Sequence, residues 1–148
     1  MKLRILALLL LLFGLGLGSA QATDGKKMAV SLYLGENTAP ADGVRVATER
    51  LHHRLHAVFG FSHFELIQTQ DIPLAEDWEH WFVPRKDCFM SIRPLKRTPM
   101  DQTVAYSIYQ EGFVVANGRY ELHHDTPLFI NGPDLNGGRL IFVVDAKW

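Results

Sequence analysis

Glu49, His52, His53 and His56 recur at i, i+3, i+4 and i+7, so on an α-helix they line one side and neighbour one another. His52 and His56 stand one turn apart, the spacing at which a helix offers two imidazole ligands to one transition-metal ion. Glu49 or His53 would extend that shell. A catalytic zinc helix of the H-E-x-x-H type needs glutamate directly after the first histidine, and His53 takes that place, so the protease motif is absent. A structural zinc site would draw further ligands from a distant segment, and His123, His124 and Asp125 are of the right types. The competing reading is a solvated helix face on which histidine is as acceptable as glutamine.

Other stretches carry chemistry-bearing residues in weaker patterns. Glu76-Asp77-Trp78-Glu79-His80-Trp81-Phe82 is dense in carboxylates and aromatics. Exposed rings beside acids suit a sugar or a peptide, because aromatic faces give large contact area at low entropy cost. Paired carboxylates also belong to glycosidases, but acidic runs are common in exposed loops. His63 and Glu65 share one face of a strand, and with His80 they form the acid–base set of a small hydrolase or lyase if the fold makes them converge. Asn131–Gly138 is rich in glycine, yet it leads into a strand and lacks a following Lys-Ser or Lys-Thr, so it reads as a turn and not a phosphate cradle. No G-x-S-x-G occurs, and the adjacency of Ser62 and His63 makes no nucleophile–base pair. Sequence alone thus assigns no catalytic, cofactor-binding or metal residue and implies no cofactor.

The chain begins as a secretory signal begins. Lys2 and Arg4 precede the apolar stretch Ile5–Leu17, and small residues lead to Ala20-Gln21-Ala22, the pattern read by signal peptidase. Thirteen residues fall short of the roughly 20 of a comfortable transmembrane helix. Cleavage after residue 22 of 148 would leave a single domain of 126 residues, 23–148, a usual domain size; an uncleaved anchor is the alternative. Nothing after residue 22 resembles a membrane span. The mature part holds 13 basic and 16 acidic residues, a formal charge of −3, which argues against nucleic acid as a partner. Cys88 is the sole cysteine, so no intrachain disulfide forms. Its alternation with Met90 and Ile92 suggests a buried thiol; an intermolecular disulfide or a reactive thiol is the alternative.

These residues need elements to hold them. Asp42–Gly60 is the one long helical pattern, with Val44, Ala47, Leu51, Leu55 and Val58 in an apolar stripe. Asp42 or Thr38 would cap its start and Gly60 its end. Alternating runs predict strands at Met28–Leu34, Phe61–Gln70, Asp87–Pro94, Thr103–Gln110 and Phe113–Leu122, with Trp78–Val83 a further candidate. Glu111-Gly112 is a hairpin turn, and Gly118 marks a bulge or a close contact within its strand. Thr126–Ile130 is a short apolar segment. Arg139–Ala146 is apolar in both phases, the mark of a strand covered on both sides.

The expected fold is α+β: one amphipathic helix (about 42–60) on the concave face of a mostly antiparallel, curved sheet of about six to eight strands. The expected function is that of a small exported, soluble domain, secreted or periplasmic. It would act without catalysis as a binding module for another envelope or extracellular protein, through an open sheet face or edge. The alternatives are a transition-metal-binding protein that uses the helix histidines and a small hydrolase or lyase.

Overall fold

The computed structural model describes residues 26–74, 78–97 and 101–148. The leader read over residues 1–22 lies outside them, as do Glu76 and Asp77. The elements are β1 (Lys27–Glu36), α1 (Glu49–Phe59), β2 (His63–Pro73), β3 (His80–Phe82), β4 (Cys88–Arg97), β5 (Asp101–Gln110), β6 (Phe113–His123), β7 (Leu128–Leu135) and β8 (Gly138–Lys147). They form two four-stranded antiparallel sheets, in the orders β2-β1-β8-β7 and β3-β4-β5-β6. Among the described residues no helix is long and apolar enough to cross a membrane.

The α+β class holds, but the single curved sheet does not. The reason lies in the amount of apolar surface to be covered. Helix α1 has 11 residues and so spans only about 16 Å, too little to cover eight strands. The two sheets instead cover each other, as in a sandwich. Met28, Val30 and Leu32 of β1 and Leu140, Phe142 and Val144 of β8 meet Phe82, Met90, Ile92, Val104, Ile108 and Leu122 of the second sheet in one core. A second core lies on the outer face of the first sheet, where Leu55 packs with Tyr33, Phe64, Ile141 and Val143. The layers therefore run helix, sheet, sheet. β8 sits between β1 and β7, buried on both faces as its sequence required.

The helix is shorter than expected, at Glu49–Phe59 rather than 42–60. Gly43 turns the chain at φ +84°, and the next residues run extended beside β2. Val46 bridges Glu65, the Ala47 amide donates to the Phe64 carbonyl at 3.0 Å, and the Leu66 amide donates to the Arg45 carbonyl at 2.8 Å. β-Branched Val44 and Val46 favour that conformation, and the pairing occupies part of the β2 edge. Neither Asp42 nor Thr38 caps the helix; Thr48 holds the N-cap position without a side-chain bond. Gly60 ends it as expected, at φ +77°, with its amide on the His56 carbonyl. The core-facing stripe is Leu51, Leu55 and Phe59, joined by Ala47, while Val58 is 62% exposed.

The segment read as a turn over Asn131–Gly138 is mostly strand. β7 continues to Leu135, with its register shifting between Asn131 and Asp134. The shift takes Gly132 and Pro133 out of the ladder, and β7 is an edge strand, where proline's missing N–H is tolerated. A Cβ on Gly132 would lie 2.6 Å from the Leu140 carbonyl oxygen, so glycine is required by close approach. Only Asn136-Gly137 forms the tight turn, both residues having positive φ. Of the two readings at Gly118, a bulge or a close contact, the close contact holds, with the Tyr106 ring packed against it; the register shift lies opposite Ile108 and Tyr109.

Phe142 and Phe82 meet edge to face across the sandwich, with centroids 6.3 Å apart. Phe142→Ala is expected to lower unfolding free energy by about 3–5 kcal/mol in chemical denaturation. A loss below about 1 kcal/mol would show that this contact does not hold the sheets together.

Candidate functional site

The inner faces of the two sheets are dry, and the helix covers part of the outer face of the first. Among the described residues nothing covers the outer face of the second. On the outer side of the second sheet, Phe89 pairs across to Tyr109 and Tyr109 to Val114. Trp81, beside core-facing Phe82, lies on the same outer side. Its ring stands 5.4 Å from Tyr109 and 6.1 Å from Phe89, and the Phe89 and Tyr109 rings stack at 5.1 Å. Trp81, Phe89, Tyr109 and Val114 thus make an apolar stripe that crosses all four strands.

Next to the stripe Val115, exposed by 50%, is the extra residue of the β6 bulge, while Phe113, exposed by 76%, ends the hairpin in the core-facing phase opposite Gln110. Trp81 and Val114 are themselves 47% and 50% exposed. A few residues along the strands, Arg93 and Arg119 flank Ala105 on the same outer side, and both are exposed. Contiguous exposed aromatic and aliphatic surface of this kind marks interaction sites, and tryptophan, tyrosine and arginine dominate binding hot spots.

The helix histidines form a structural device. His52 Nε2 donates to the Ser62 carbonyl at 2.9 Å and His56 Nδ1 to the Phe61 carbonyl at 2.8 Å. A ring nitrogen facing a carbonyl must carry the proton, which fixes both tautomers. The two rings stack at 6.2 Å, and His52 meets Phe64 edge-on at 5.4 Å. Ser62 is held in turn by Asn37, whose side-chain oxygen accepts from the Ser62 amide and hydroxyl at 3.0 and 3.2 Å. The histidines therefore fasten the helix end to the 61–62 turn and, through Asn37, to the chain after β1.

The structure separates the remaining ligand candidates. His123 Nδ1 pairs with Asp101 at 2.7 Å and His124 with Asp125 at 3.2 Å. No group of three or more histidine, cysteine or carboxylate side chains among the described residues is arranged to hold a metal ion. Nor do the acid–base candidates join. His63 and Glu65 lie on β2 of the first sheet and His80 on β3 of the second, and no hydrogen bond links them. His80 Nε2 is buried with no hydrogen-bond partner, on the core-facing side opposite Ile92. Trp78 is 70% exposed and lies ahead of β3, so it is not core. Cys88 is buried against the inter-sheet core. Burial pushes its thiol up to about 11, the Asp87 charge adds to this, and Arg85 opposes it.

Phe89, Tyr109 and Val114 escaped the sequence reading. Phe89 and Tyr109 sit in the phase opposite the apolar one of their strands, and an aromatic in each of two paired wet phases was the available signal. Val114 reads as core because it shares a phase with Ala116; the bulge turns it outward. Comparison with protein-family models, curated proteins and solved structures finds no match to this chain.

Replacing His52 or His56 by alanine is expected to cost about 0.5–1.5 kcal/mol each in metal-free denaturation, since each removes one bond to the 61–62 turn. A zinc titration that separates the wild type from the His52→Ala, His56→Ala double variant would return these residues to a metal role. The Cys88 thiol is expected to resist alkylation at pH 8 in the native protein and to react fully once unfolded. A thiol held near 11 is overwhelmingly protonated at that pH, so rapid native labelling would place it in an open environment.

Proposed function

We propose that this protein is a small exported domain, secreted or periplasmic, that works without catalysis by docking another envelope or extracellular protein. The observation that carries the reading is the exposed stripe Trp81–Phe89–Tyr109–Val114 on the outer side of the second sheet. The leader at residues 1–22 and its Ala20-Gln21-Ala22 end support export. The partner's chemistry follows from the surface. An apolar patch covers the stripe, and an acidic rim meets Arg93 and Arg119. Rim charges of this kind steer encounter and fix orientation more than they add affinity. Strand β6 is the neighbouring sheet edge, so a partner can extend its contact by strand addition there.

The test compares capture from envelope extract by the wild type, by Trp81→Ala with Val114→Ser, and by Arg93→Glu with Arg119→Glu, each confirmed as folded by circular dichroism. Both variants are expected to lose the same partner band by at least about tenfold, equivalent to the ~1.4 kcal/mol that one or two hot-spot contacts supply. Wild-type capture is expected to weaken as salt rises. Equal recovery by all three proteins would dismiss the face. Self-association abolished by the same substitutions would reassign it to a homodimer. Recovery of the protein with Met1 intact in the membrane fraction would overturn export as a cleaved species.

A further inference from the structure

We infer that a second site lies on the opposite side of the molecule, a cleft beside α1 on the outer face of the first sheet, and that it takes a small zwitterion such as an amino acid or a short peptide. The cleft encloses about 420 Å³, within the range of small-molecule sites. It exists because the helix is too short to cover its sheet, so the part of the face around Ser31, Tyr33 and Asp145 is left open.

The charges of the cleft come from three places. Arg50 and Arg54 stand one turn apart on the helix wall, Asp145 and Lys147 share one phase of β8, and Asp125 lies ahead of β7. Arg54 rests over the Phe129 ring at 5.8 Å, which leaves its charge unneutralised. Neither Arg50 nor the half-buried Asp145 makes a side-chain hydrogen bond or ion pair among the described residues. The half-buried Asp145 carboxylate and the neighbouring guanidinium groups face the solvent of the cleft, so a ligand that carries both charges can replace that water with ion pairs. A plain anion would satisfy the arginines and be repelled by Asp145; a plain cation would meet the reverse. A molecule with carboxylate and ammonium on one short frame answers both.

The hydroxyls of the floor suit the same ligand. Ser31 donates to Thr69 at 2.8 Å, so the Thr69 proton remains available to an acceptor. Tyr33 lines the cleft, and its hydroxyl makes no hydrogen bond among the described residues. Burial raises its pKa against the opposing charge of Arg45, so the phenol stays a donor at neutral pH.

The test uses alanyl-alanine, its N-acetyl form and its C-terminal amide as probes in amide-resolved NMR titrations of the folded protein. Free alanyl-alanine is expected to shift the amides of Ser31, Tyr33 and Asp145 at millimolar concentration, and each blocked form to bind at least about tenfold more weakly. Arg50→Gln and Asp145→Asn are each expected to weaken the free dipeptide by about tenfold. Trp81→Ala is expected to leave binding unchanged, which separates this site from the docking face. Equal binding of the N-acetyl form would make the cleft an anion site, and equal binding of the amide would make it a cation site. No shift at these amides with any probe would remove the cleft as a site. Each of these three results overturns the inference.

Discussion

Strand β8 must be dry on both sides, since Leu140, Phe142 and Val144 leave one face and Ile141 and Val143 the other. No single covering element can do this. One face is closed by the second sheet and the other by helix α1, and the three-layer order follows from that requirement. Burying a side chain of this size is worth about 1.5–3 kcal/mol, so a polar layer on either side of β8 would forfeit several such terms. The position of β8 between β1 and β7 gives it a neighbour on each side, and the irregularities fall on the edge strands: unpaired Ile67 in β2 and Gly132-Pro133 in β7.

The helix has the lesser task, and its histidines belong to that task. Three turns carry one fully buried side chain, Leu55, so apolar packing alone fixes its orientation weakly. His52 and His56 add two directed bonds to the carbonyls of the turn that follows, and Gly60 closes the last turn. Directed bonds of about 1 kcal/mol each matter most where burial is sparse. The same spacing that suits a metal ion also suits two neighbouring carbonyls on a returning strand, and the second arrangement occurs here.

The strands were legible where a phase was uniformly apolar. β1, β4, β5 and β8 fall close to where Met28–Leu34, Asp87–Pro94, Thr103–Gln110 and Arg139–Ala146 placed them. What alternation does not encode is which strands share a sheet, because an apolar phase specifies a cover and not its identity. The number of sheets was therefore hidden. The helix start was misread because Val44 and Ala47 fit a helical stripe and an extended edge equally well, and only Glu65 and its neighbours on β2 decide between them. The candidate docking stripe was hidden for a related reason. Phe89 and Tyr109 look isolated along the chain, and cross-strand register alone stacks them.

Two unfinished surfaces remain, and they differ in kind for a physical reason. The first sheet is left open because its helix is short, and what it exposes is polar: hydroxyls, Asp145 and the arginines of the helix wall. Such a surface is stable in water without a ligand. The second sheet is left open because no described element crosses it, and what its outer side exposes is aromatic and aliphatic: Trp81, Val114 and the adjoining Val115. That surface carries a standing risk of association, beside the β6 edge. The three rings reduce the risk by packing on one another, and Arg93 and Arg119 place like charges beside them, which opposes the approach of a second copy in the same orientation. A stripe shielded in this way disfavours self-pairing and favours a partner whose rim is acidic. The polarity of each open surface is thus what supports the two proposals, a small dipolar solute on the helix side and a protein on the other.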